Sequence, residues 1–123
     1  MIKSTGILRC EPKFVYLECD PEIARLYRHF CRKKGVYLIR QGRDSHITVI
    51  RTEEFSAQMS IGKYFDGTEF EFVYNPEYLQ SNATHYWVRI LSPGLEKFRT
   101  DMSFCSQPAK IVNGKLVTDP FHL

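Results

Sequence analysis

One layout occurs twice in this chain, and it restricts the folds open to it more than any other feature. The run Phe14-Val15-Tyr16-Leu17-Glu18-Cys19 is aromatic and β-branched enough for a strand, and it stops at Asp20-Pro21. Asp20 suits an N-cap, and Pro21 suits the first helical turn, where no hydrogen bond is lost. Ile23, Leu26, Tyr27 and Phe30 then recur at helical spacing, which predicts a helix over 21–34 with one apolar stripe turned to a sheet. Gly35 ends it. Val36-Tyr37-Leu38-Ile39, a turn at Gln41-Gly42-Arg43 and the β-branched run 45–51 read as a hairpin. The second half repeats the order. Residues 86–91 read as a strand, Ser92-Pro93 starts a helix to about 103 on Leu95, Phe98 and Met102, and 109–112 and 115–117 flank the hairpin signal Asn113-Gly114. Between the copies, 60–64 and 69–74 flank Asp66-Gly67 as a third hairpin, with Phe70, Phe72 and Tyr74 on one face.

The fold expected from this is α+β: a single domain, 1–123, of two strand-helix-hairpin lobes. Lobe one covers about 14–51, an inserted hairpin and loop about 55–85, and lobe two about 86–123. Antiparallel sheets would surround a central groove, with the helices on the outer faces. A chain of 123 residues has room for one domain. Its 43% hydrophobic and 25% charged residues exclude a mainly disordered chain, and no apolar run reaches the roughly 20 residues of a membrane helix. The net charge of +3, from 17 basic and 14 acidic residues, fits one anionic ligand in one cleft and argues against duplex DNA. Cysteines 10, 19, 31 and 105 form no C-x-x-C pair. With no secretory signal in view, four reduced thiols and a cytoplasmic location are the expectation.

His46 and Thr48 stand two apart on a strand, so their side chains share a face while Ile47 and Val49 take the other. A lone His-x-Thr is ordinarily an edge histidine bonded to backbone. The repeat changes that balance, because His122 sits at the matching place of the second half, after a matching hairpin. Two opposed imidazoles suit phosphodiester chemistry: one takes a proton from the attacking hydroxyl or water, and the other gives one to the leaving oxygen. Thr48 would donate to a non-bridging phosphate oxygen. No metal or cofactor is called for.

His46-Ile47-Thr48, the late histidine and the doubled layout resemble the two-histidine (2H) phosphoesterases. That family includes RNA 2′,3′-cyclic phosphodiesterases, 2′-5′ oligoadenylate phosphodiesterases of some viruses, and phage enzymes that destroy cyclic oligonucleotide signals. Its signature is two H-x-[ST] motifs in a bilobal α+β fold with a central groove. The resemblance covers nearly all the chain from Phe14 on. It implies His46, Thr48 and His122 as catalytic residues and, on the strand bordering the groove, Tyr16 as a base or phosphate contact. The second motif here is His122-Leu123, with no Ser or Thr after it, so the natural chain is expected to continue past Leu123.

Arg40, Arg43 and Arg51 flank the His46 strand and could bind phosphate, while Trp87 and Tyr64 could stack on bases. Solvated arginines and core or rim aromatics are the plainer alternatives. His29, inside the first helix, reads as solvated, and His85 lacks a following Thr in the motif position. The expected partner is an RNA end or a small oligonucleotide, with no membrane involved. A non-catalytic nucleotide- or RNA-binding module on the same fold is the competing function. An RNA-recognition sheet of ferredoxin-like type is disfavoured, because the Gly-Phe-aromatic run of that module is missing.

Overall fold

The computed structural model describes residues 2–35, 46–55, 63–75, 80–81, 86–87, 89–102, 104–112, 115–118 and 121. Its centre is an antiparallel sheet of five strands: β1 (Ile2–Glu11), β2 (Phe14–Cys19), β3 (His46–Ile50), β4 (Glu69–Tyr74) and, after two short strands, β7 (Ile90–Leu91). The strand order is β3-β2-β1-β4-β7. The architecture is thus α+β with an antiparallel sheet, as expected. β5 (Gln80–Ser81) pairs with β6 (Tyr86–Trp87), and β8 (Ala109–Val112) with β9 (Lys115–Thr118). In the latter hairpin Val112 stands opposite Lys115, so it closes where the Asn-Gly signal predicts.

Both helices begin as their sequences direct. α1 (Pro21–Lys33) is capped by Asp20, whose Oδ1 accepts from the Glu22 N–H at 3.0 Å. Gly35, at φ 83°, takes the left-handed position beyond its end. α2 (Pro93–Asp101) is capped by Ser92, whose Oγ accepts from the Leu95 N–H at 3.2 Å and donates to the Glu71 carbonyl at 2.6 Å. That second bond ties the start of α2 to β4. No helix among the described residues is long and apolar enough to cross a membrane.

The strand pairing departs from the sequence expectation at three points. β1 was not foreseen, yet it is the central strand, flanked by β2 and β4. Its Lys3-Ser4-Thr5-Gly6 start carries few strand-favouring residues, and pairing along both edges overrides that weak local preference. Of the expected hairpin of 60–64 with 69–74, residues 60–62 lie outside the described residues, Lys63–Phe65 is a 3₁₀ turn, and β4 pairs with β1 and β7. The Asp66-Gly67 turn instead runs beside β1, where the Cys10 N–H donates to Asp66 Oδ1 at 2.8 Å and the Gly67 N–H to the Leu8 carbonyl at 2.7 Å. Third, the expected strand 86–91 divides, β6 joining β5 and β7 joining β4. The five-stranded sheet therefore draws strands from both expected lobes, the inserted segment and the N-terminus.

One face of this sheet builds the core. Leu8, Cys10, Val15, Leu17, Cys19, Ile47, Val49, Phe72, Tyr74 and Ile90 form one buried cluster with Ile23, Tyr27 and Cys31 of α1 and Leu95 and Phe98 of α2. Gly6 belongs to this face, and its lack of a side chain matters. A Cβ there would lie 2.7 Å from Leu17 Cγ and 2.8 Å from the Glu18 carbonyl oxygen.

Candidate functional site

β2 and β3 position the candidate side chains on the face opposite the core. Along β3, Ile47 and Val49 are fully buried while His46 and Thr48 are half-buried. Across the ladder, His46 stands opposite Glu18, and Thr48 opposite Tyr16. On β1 the same two rows continue as Ile7 beside Glu18 and Arg9 beside Tyr16. Directly opposed side chains in an antiparallel pair have Cβ atoms about 5 Å apart, so these rows are contact rows.

The aromatic contacts follow from that register. The Tyr16 ring meets the His46 imidazole edge-on, with centroids 6.3 Å apart and planes at 89°. Phe14, two residues before Tyr16 and on its face, packs against it at 5.6 Å. Arg9 Nε donates to Glu18 Oε2 at 2.7 Å, a diagonal pair that ties the two rows together at a half-exposed position. The result is a polar and aromatic surface of His46, Thr48, Tyr16, Phe14, Arg9 and Glu18, with the exposed Glu69 and Glu71 further along on β4.

The sheet is irregular beside this surface. Tyr16 is opposite Thr48 but Val15 is opposite Ile50, so Val49 is an extra residue and β3 carries a bulge. Bulges bend the strand and interrupt the ladder, and they recur beside active sites. Arg99 of α2 responds to this one: its Nη1 donates to the Val49 carbonyl at 2.7 Å. The side chain is wholly buried, and all five N–H groups of its guanidinium are used. Nε donates to the Cys105 carbonyl at 2.7 Å, and Nη2 to the Gln107 carbonyl at 2.8 Å. The remaining two meet the Glu54 carboxylate, Nη1 to Oε1 at 3.0 Å and Nη2 to Oε2. Glu54 Oε1 also accepts from the Arg51 N–H at 2.9 Å, fixing the 3₁₀ turn Thr52–Glu54 to the end of β3.

Of the residues singled out from sequence, His46, Thr48 and Tyr16 are brought together. Arg51 follows β3 and is half-buried. Trp87 lies in β6, in the separate two-stranded sheet, and Tyr64 is 89% exposed with its ring on Phe65. His29 is exposed, as its helix position suggested. Arg40, Arg43, His85 and His122 lie outside the described residues. Phe121 is described: it is fully buried, its carbonyl accepts from the Ile90 N–H at 3.2 Å, and its N–H donates to Gln107 Oε1 at 3.0 Å. Sequence reading missed Phe14, Glu18 and Arg9 as members of the site; parity with Tyr16 was a signal for Phe14 and Glu18, whereas only the β1–β2 register brings in Arg9. It also missed Arg99, for which a signal existed. Leu95, Phe98, Arg99 and Met102 share one helical stripe, so a cation sits where only apolar residues were sought.

Burial has a chemical consequence on the core side. The Cys19 thiol, enclosed beneath β2 and near the Glu18 carboxylate, is pushed up from 9.0 to about 12, chiefly by desolvation. It is no nucleophile at neutral pH. Among the described residues, no group of three or more His, Cys, Asp and Glu side chains could hold a metal ion. Comparison with family models, curated proteins and solved structures finds no match to this chain.

Proposed function

We propose that this chain is a phosphodiesterase of the two-histidine type. It would cleave a ribonucleotide diester without a metal: a 2′,3′-cyclic end, a 2′-5′ linkage or a cyclic oligonucleotide. The observation that carries this reading is the ladder that sets His46 and Thr48 beside Tyr16, with one backbone bond at Phe121 to accompany it. β2, the strand leading into the Pro-started α1, pairs with the strand that bears His46. β7, the strand leading into the Pro-started α2, bonds Phe121, the residue next to His122. The first contact is a ladder and the second a single backbone bond; both join a strand that leads into a Pro-started helix to a segment with a candidate histidine, which supports the duplicated layout proposed here.

In this reading His46 and His122 divide the proton transfers. One imidazole removes the proton of the attacking hydroxyl or water, and the other protonates the departing oxygen. Thr48 Oγ1 donates to the non-bridging oxygen whose charge grows in the transition state. Tyr16 keeps the His46 ring edge-on, and Glu18 stands directly opposite His46 across the β2–β3 ladder.

The test is hydrolysis of matched ribo and deoxy dinucleotides by the chain, including its natural continuation if one exists. His46→Ala and His122→Ala should each abolish ribonucleotide cleavage with the circular-dichroism spectrum unchanged. Thr48→Ala should slow it about 10²-fold, the effect of losing one oxyanion donor. Cleavage that survives both histidine substitutions would refute the mechanism. Micromolar binding of ribonucleotides without cleavage by the full chain would transfer the site to a nucleotide-binding module.

A further inference from the structure

The Arg99 guanidinium is bound to more than the bulge. From the Val49 carbonyl, immediately after Thr48, hydrogen bonds run through Arg99 Nη1 and Nη2 to the Gln107 carbonyl. The Gln107 side chain carries them on, since its Oε1 accepts from the Phe121 N–H at 3.0 Å while its Nε2 donates to Glu96 Oε1. β3 and β7 are opposite edges of the five-stranded sheet, and the ladder alone separates them by four strand spacings. Arg99 and Gln107 supply a second, shorter connection between those edges.

We infer that Arg99 and Gln107 are positioning residues, which fix the β3 segment of His46 and Thr48 relative to the Phe121 segment that precedes His122. The inference rests on the two-histidine reading, because only a reaction using both segments needs their separation fixed. The physical case is independent of that reading. A planar guanidinium with all its donors engaged has one orientation, so it holds the Val49 and Gln107 carbonyls at a set separation. The bulge leaves the Val49 carbonyl beside Thr48, and Arg99, the one buried cation among the described residues, meets it. A catalytic pair tolerates little play, since a misplacement of about 1 Å can cost 10²-fold in rate.

Arg99 itself is too deeply buried to be a safe test alone, so Gln107→Leu is the informative variant. It keeps the side-chain volume and removes the acceptor for Phe121. With a 2′-5′-linked ribodinucleotide as probe, Gln107→Leu should keep a cooperative thermal transition, lower kcat at least tenfold and leave KM within twofold. The exchanged pair Glu96→Gln with Gln107→Glu restores an acceptor at 107 and a donor at 96, and should recover most of kcat. Arg99→Lys should lower the hydrogen-exchange protection of the Phe121 and Ile50 amides together. Wild-type kcat in Gln107→Leu would overturn the inference while leaving the phosphodiesterase reading intact. If the wild-type chain cleaves no ribonucleotide, that reading fails. The linkage then stands or falls on exchange: joint loss of protection in Arg99→Lys supports it, and unchanged protection at Phe121 overturns it.

Discussion

The two faces of the five-stranded sheet have opposite chemistry. On the core face, apolar side chains from β1, β2, β3, β4 and β7 close over one cluster with α1 and α2. The one buried cation among the described residues, Arg99, has every donor engaged and Glu54 as its counter-ion. On the other face, His46, Thr48, Tyr16 and Phe14 are half-buried, and the Arg9–Glu18 pair is about half-exposed. Burial with full satisfaction gives stability and inert groups. Partial exposure leaves hydroxyl, imidazole and carboxylate groups able to meet a ligand. The period-two alternation of β2 and β3 is what keeps these two environments one residue apart.

That contrast should be visible as a gradient of mutational cost. The largest effect is expected at Arg99→Ala, which strands the buried Glu54 carboxylate and the Val49 carbonyl. A loss of about 3–5 kcal/mol follows for breaking one partner of a buried pair. The double change Arg99→Met with Glu54→Leu should recover a large part of it, because no uncompensated charge remains. Urea midpoints measure both. A single-variant loss below about 1 kcal/mol would erase the distinction between the faces.

A smaller effect comes from the core-face thiols. Cys19 titrates near 9.0 when unfolded and is held to about 12 in the fold, so the folded chain keeps a proton that the unfolded chain releases. Stability is therefore full below pH 9 and falls as pH rises from 9 toward 12, by at most about 1.4 kcal/mol per pH unit for one thiol. Burial raises Cys31 and Tyr74 as well, which adds to the same slope. Urea midpoints between pH 8 and pH 10.5 should show a decline that Cys19→Ala makes shallower. A slope unchanged by that substitution would mean that Cys19 ionises freely in the fold.

The smallest effects belong to the second face. Thr48→Ala should change stability by under about 1 kcal/mol, as for positions outside the core. Arg9→Ala should leave the urea midpoint unmoved. Together with the expected 10²-fold loss of turnover in Thr48→Ala, this would separate function from fold across one sheet. A loss of 2 kcal/mol or more at Thr48 would show instead that this face also holds the structure together.

The sequence by itself determined what local physics can decide. Asp20-Pro21 and Ser92-Pro93 fixed where the helices start, and Gly35 where the first ends, because caps and φ restrictions act within a few residues. The alternation of β3 put His46 and Thr48 on one side and Ile47 and Val49 on the other. Asn113-Gly114 located its hairpin through turn geometry. Strand partners were decided only by the tertiary structure, since pairing depends on which edges remain open once the chain has collapsed. That is why β4 lies between β1 and β7, and why a weakly strand-like N-terminus became the central strand. The site divides along the same line. His46, Thr48 and Tyr16 were legible from parity and resemblance, and parity also put Phe14 and Glu18 on the Tyr16 face; that β2 face met His46 and Thr48, and Arg9 joined it, only through the β2–β3 and β1–β2 registers. Arg99 lay in plain view on an apolar stripe, but its role required the bulge at Val49 and the carbonyls of 105 and 107. Val49 and Glu54 lie 50 and 45 residues from Arg99 along the chain and meet it only in the folded protein.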